Sequence, residues 1–410
     1  MTDLLDLLVF QGAFSWSLIV ITLLAIVVMP RLFGLNYLNG LVFAQFTLFF
    51  NATTIIAGLD SQAVDIGRGF HFYIIEFSFL ALIFAAYRYL LRRRERVLAA
   101  MRKFFNGKGA LFVTVFMVAT AIFNYLLAPT DGSSRIAYMT EAWFSLIKPF
   151  IQLVVPLSYL GVFIMILSPH RRRLGYILLA TAVTANIATG SKASFAVSLF
   201  TAFLAFRDLA GPTRFGIKKQ ELLKLSIFVG AAVIFALSRL EVSGTDIFNR
   251  FFLSGEATIL TYFSDTPTAA CANVSTFASM HRGWARLLGD VSAQDIDTLF
   301  GYALTIQELG VNTFTGPNGR LSAYVLCNFA GVRVVLGAFV VLVYLLLMLV
   351  LFKRLLYRPT YLALVYPFML TSLGGASQDF NLIMQDITIL LILSLLTILY
   401  YTVPVRRQLG

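Results

Sequence analysis

Lys192, Arg239, Arg250 and Arg320 stand at the ends of apolar runs rather than in open polar stretches. Such cations are positioned to hold an anion beside a low-dielectric surface. Arginine's planar fork grips phosphate bidentately, and lysine adds a point charge. Arg282 and Tyr324 extend this donor set for a diphosphate. The competing reading is pairing with nearby acids, or contact with lipid headgroups. A sugar hydroxyl facing such an anion would need a base within hydrogen-bond reach. Glu76, Glu141, Glu256, His281, Asp379 and Asp386 are the candidates. Glu256 lies six positions after Arg250, His281 precedes Arg282, and Asp379 flanks the outer start of the last apolar run. Glu76 is an acid inside an apolar run, where an ionisable group is costly. It marks either function or pairing with a neighbouring span.

Other chemistries lack their residues. There is no P-loop, no dinucleotide-binding glycine turn, no HExxH and no GxSxG. No cofactor and no metal are expected, since Cys271 and Cys327 form no CxxC and no acidic cluster calls for a cation. The two cysteines are read as a disulfide or as two isolated thiols. No aromatic-interleaved basic face points to nucleic acid.

The elements that must position these groups are membrane spans. The chain of 410 residues is 59% hydrophobic, with 13% charged residues and a mean hydropathy of +0.83. Long apolar runs without alternation, such as Val340 to Phe352, predict an all-α polytopic membrane protein and not a β-barrel. Eleven spans are expected near residues 8–29, 37–57, 71–91, 109–128, 145–168, 174–189, 193–207, 223–239, 325–352, 360–376 and 383–403. Residues 174–189 and 193–207 meet at the polar knuckle Thr189-Gly190-Ser191-Lys192, as two thin spans or one re-entrant hairpin. The first six residues carry two acids and no base, so the first run reads as a permanent span.

Charge fixes the orientation. The loops containing Arg31, Arg88 to Lys108, Arg171 to Arg173, Arg207 to Lys224, Lys353 to Arg358, and Arg406 with Arg407 hold 22 of the 32 Lys and Arg but three of the 20 acids. By the positive-inside rule these loops are cytoplasmic, which places the N-terminus outside and the C-terminus inside. The net charge of +12 follows from this pattern. Three regions result: N-terminal spans in 1–239, a large helical exported cap in 240–324, and C-terminal spans in 325–410. Arg68, Arg320 and the other exported cations run against the orientation signal.

The order of motifs is similar to a known family. Gly190-Ser191-Lys192-Ala193-Ser194 lies at the outer end of short middle spans. An Arg-containing exported loop follows, then Thr315-Gly316-Pro317-Asn318-Gly319-Arg320-Leu321-Ser322-Ala323-Tyr324, which runs into Asn328-Phe329-Ala330-Gly331. This resembles the O-antigen (Wzy-type) oligosaccharide repeat-unit polymerases over roughly residues 174–340, with lysine at 192 where the family more often has arginine. The resemblance implies a GT-C-like glycosyltransferase of lipopolysaccharide and surface-polysaccharide biosynthesis in the bacterial inner membrane. Its donor would be an undecaprenyl-pyrophosphate-linked oligosaccharide. Membrane lipids and a chain-length regulator protein would be its partners, with no cofactor. Lys192, Arg239, Arg250 and Arg320 would hold the diphosphate, and Glu256, His281 or Asp379 would orient or deprotonate the acceptor. The rival readings are an O-antigen ligase and a polytopic glycolipid transporter or flippase.

Overall fold

A computed structural model describes residues 12–34, 36–92, 94–127, 160–188, 200–201, 203–209, 255–263 and 320–328, with Phe339 and Val343 as isolated positions. Every regular element among them is helical. The named helices are α1 (Ala13–Phe33), α2 (Tyr37–Ala44), a π-helical stretch (Gln45–Asn51), α3 (Ala52–Asp60), α4 (Ile66–Leu91), α5 (Arg94–Asn106), α6 (Gly109–Leu127), α7 (Arg172–Ala188) and α8 (Leu321–Asn328). Residues 160–167, 200–209 and 255–263 are also helical where described.

Among the described residues, three helices are long and apolar enough to cross a membrane: Ala13–Phe33, Tyr37–Asp60 and Ile66–Tyr89. A fourth span exists if Arg94–Asn106 and Gly109–Ile122, bent by 73° at their break, count as one. The protein is therefore a membrane protein, and the first three expected spans correspond to these helices. The third begins at Ile66 instead of residue 71, because Asp65 caps it: the Arg68 backbone N–H donates to Asp65 Oδ1 at 3.0 Å. The spans expected at 223–239, 360–376 and 383–403 lie outside the described residues, as does the 189–192 knuckle. The described residues fall into two compact units, one containing 12–92, 255–263 and 320–328, the other 94–127, 160–188 and 200–209.

In the first unit α1, the α2–α3 rod and α4 pack side by side. One end is closed by aromatic packing: Phe14 stacks on Tyr73 at 5.5 Å and meets Phe263 at 4.8 Å. The Phe14 N–H donates to Ala63 O at 3.1 Å, which ties the start of α1 to the α3–α4 turn. At the other end the Arg88 guanidinium donates to Leu32 O. Gly12 begins α1 at φ 95°, a left-handed conformation that strains any residue with a Cβ. The outward side of α1, including Val20, Leu23, Leu24 and Val27, is exposed and apolar, as expected of a lipid-facing surface.

The helical segment 255–263 lies against this unit. A Cβ on Gly255 would overlap the Thr53 carbonyl and come within 2.8 Å of Thr54 N, so the two backbones touch there. Further along, Ile259 and Tyr262 join the core cluster of Phe14, Leu18, Phe72 and Tyr73. Part of the region read from sequence as an exported cap thus runs alongside the spans.

In the second unit, residues 160–167, a short 3-10 turn (Pro169–Arg171) and α7 form a hairpin. Gly161 and Gly175 allow the close approach: a Cβ on Gly175 would come within 2.8 Å of Gly161 O. Phe163 meets Phe206 edge-on at 5.4 Å. The basic stretch from Arg88 to Lys108, read from sequence as a cytoplasmic loop, contains the amphipathic helix α5. Val97, Leu98, Met101, Phe104 and Phe105 are buried on one face, while Arg94, Arg102 and Lys103 are exposed. Their spacing of one, three and four residues is that of a single helical stripe.

Candidate functional site

The spans hold a charged pair at their middle. Glu76 lies about 15 Å along α4 from Ile66, at 1.5 Å per residue. Asn51 lies about 14 Å from Asp60 along α3, and Thr22 about 14 Å into α1. These three elements share an end, so the three residues sit at one depth. That depth is roughly half of a hydrocarbon core of ~30 Å.

Arg320 enters at this level. It precedes α8 and is 4% exposed. Its Nε lies 3.4 Å from Glu76 Oε2, close enough for charge attraction though not aligned as a hydrogen bond. Nη2 donates to Asn51 Oδ1 at 3.0 Å, and Nη1 donates to Thr54 Oγ1 at 3.4 Å. Both acceptors are held by their own bonds. Asn51 Nδ2 donates to Thr22 Oγ1 at 3.0 Å, and Thr54 Oγ1 donates to Phe50 O at 2.7 Å. The second Glu76 oxygen accepts the Ser322 N–H at 3.1 Å, and the Tyr262 hydroxyl donates to Ser322 O at 3.2 Å. Three rings surround the guanidinium, with centroids at 5.3 Å for Phe46, 5.2 Å for Phe50 and 4.8 Å for Phe72. Their faces attract the cation while excluding water.

The π-helix assembles this wall. Its turn is wider than that of an α-helix, and the Ala52 N–H reaches back five residues to Thr47 O. Phe46, Phe50 and Asn51 belong to this one stretch, and all three meet Arg320. The hydroxyls of Thr53 and Thr54 both donate to Phe50 O, at 3.1 and 2.7 Å, adding donors to a carbonyl at the irregular junction.

Of the ten exported cations read from sequence, the described residues include Arg68 and Arg320, and each is paired with an acid. Arg68 Nε lies 3.4 Å from Asp65 Oδ2 at an exposed site. Arg320 is closed in by Glu76 and the three rings, so an anion could reach it only by displacing them. Glu256 is exposed at the start of the 255–263 helix, beside Gly255 and therefore near the level of Thr53. Tyr324 lies in α8, and its side chain is outside the description. Glu141, Lys192, Arg239, Arg250, His281, Arg282, Asp379 and Asp386 lie outside the described residues, as does Cys271. Sequence reasoning found Arg320 and Glu76 separately but missed Thr22, Asn51 and Thr54. Uncharged polar residues give no distinct signal within a span.

No protein-family model matches the chain, and neither a curated protein nor a solved structure matches it.

Proposed function

We propose that this chain is a GT-C-type glycosyltransferase that polymerises undecaprenyl-pyrophosphate-linked oligosaccharide repeat units at the periplasmic face of the bacterial inner membrane. In this reading the N-terminus is periplasmic and the C-terminus cytoplasmic. The observation that carries the reading is Glu256. Glu256 is exposed, yet the start of its helix packs against Thr53, well below the shared end of the spans. A carboxylate facing lipid at that depth is costly, so a polar cleft open to water accounts for it best. A lipid-linked donor reacts in such a cleft, with its polyprenyl chain in the bilayer and its sugars in water.

The acceptor hydroxyl attacks the anomeric carbon of the donor sugar, and the bond from that carbon to the diphosphate oxygen breaks. The diphosphate leaves with the electron pair, while Glu256 takes the hydroxyl proton, with His281 and Asp379 as the other candidate bases. Lys192, Arg239, Arg250 and Arg282 stabilise the charge that grows on the leaving diphosphate. Arg320, already paired with Glu76, positions the end of the long segment against the spans.

A second reading, a glycolipid transporter, is favoured by one observation: a paired charge and a π-helical irregularity at mid-depth, features common in transporters. Glycan banding separates the readings. Cells carrying Glu256→Gln at normal protein level are expected to lose the ladder of chain lengths and keep single attached repeat units. A wild-type ladder removes Glu256 from the mechanism. Loss of all attached glycan with long lipid-linked chains indicates a ligase. Loss of all glycan with single lipid-linked units confined to the cytoplasmic leaflet indicates a transporter.

A further inference from the structure

Two basic stretches distant in sequence meet in the second unit. Arg171 Nη1 donates to Gly107 O at 2.6 Å, across 64 residues. Ser168 Oγ donates to Asn106 Oδ1 at 2.8 Å, which fastens the same two turns a second time. The end of α5, with Arg102, Lys103 and Lys108, is therefore held against Arg171, Arg172 and Arg173. The stretches 96–127 and 160–188 contain no Asp or Glu; the acids among the described residues of this unit are Glu95, at the opposite end of α5, and Asp208.

We propose that this cluster is a headgroup-binding platform for anionic phospholipid. Three observations identify the partner. First, α5 makes an angle of 73° with the apolar helix that follows it. If that helix crosses the bilayer, α5 lies close to the membrane plane. Second, the apolar face of α5 is already buried in protein, so its cations point away from the core. Arg102, Lys103, Lys108 and Arg173 are all exposed. Third, Tyr176 lies one helical turn beyond Arg172 and is 52% exposed. An exposed tyrosine beside cations at the start of the apolar helix α7 suits the headgroup boundary, where an apolar ring meets a polar layer. A free phosphate would use the cations but not the ring, whereas a phospholipid uses both.

The test uses the delipidated full chain in neutral detergent, with thermal unfolding followed as phosphatidylglycerol or phosphatidylcholine is added. Phosphatidylglycerol is expected to raise the midpoint at concentrations where phosphatidylcholine does not. Lys103→Gln with Lys108→Gln and Arg173→Gln is expected to weaken the apparent affinity by about fivefold per cation removed. Added salt should weaken binding in the wild type. Equal responses to the two lipids overturn the proposal, as does a wild-type response in the triple variant. A matching shift from inorganic phosphate overturns the lipid assignment. Should the triple variant not accumulate, Lys108→Gln alone must lower the affinity about fivefold, and an unchanged value sinks the idea. None of these readings depends on glycosyl transfer.

Discussion

Arg320 has a charge that must be met wherever it is buried. Removing one member of a buried pair leaves the other charge uncompensated, at a cost of about 3–5 kcal/mol. Replacing both members with apolar groups of similar volume is often close to neutral. Arg320→Met is therefore expected to lower the unfolding midpoint sharply in detergent, and Glu76→Gln to lower it in the same direction. Arg320→Met combined with Glu76→Leu should recover most of the loss. Were Arg320 an open diphosphate ligand instead, Arg320→Met would leave stability near wild type and remove only activity. Both partners stood out in the sequence, one as a cation against the orientation signal and the other as an acid in an apolar run. Their meeting was not legible. More than half of the 410-residue chain separates them, and no local periodicity encodes a contact at that distance.

Element by element, the α2–α3 rod is the least readable part. Gln45 to Asn51 looks like any apolar span, and its π-helical course follows from tertiary demands instead of residue preference. The extra width of this stretch sets which side Phe46, Phe50 and Asn51 occupy. Leu48, 66% exposed within it, makes the least buried contact and can be removed with little loss of packing. Deleting Leu48 should tighten the stretch to an ordinary α-helix and rotate Phe46 by about 100° relative to Asn51. The deletion is expected to destabilise as much as Arg320→Met, measured as the midpoint in the same detergent. Combining it with Arg320→Met should add little, because both break one cluster. The α5 stripe, by contrast, was written plainly at Val97, Leu98, Met101, Phe104 and Phe105. The surrounding arginines mark a cytoplasmic loop whether or not it contains a helix, so charge alone does not reveal the stripe.

At the scale of the whole molecule, membrane character and the helical build of the described residues were legible because hydropathy and charge act over long windows. Where residues 255–263 pack was not, since an amphipathic pattern marks a helix with one covered face without saying what covers it. The proposed orientation has a direct check. Lys103→Cys and Arg173→Cys are expected to react with a membrane-impermeant thiol reagent only from the cytoplasmic side. Ser61→Cys, at the exposed α3–α4 turn, should react only from the periplasm. Labelling of all three from one side would invert or discard the charge-based topology and the reaction built on it.

The Glu76–Arg320 pair also has an order in time. A ribosome releases the third span long before it makes the arginine that will neutralise it, so that helix enters the membrane carrying an acid with no counterion. Until residue 320 has been made, the nascent protein holds an unresolved demand in its first three spans. Completion of this bundle is thereby tied to the arrival of a distant stretch of the same polypeptide. Shortened products lacking that stretch would carry their own mark for quality control.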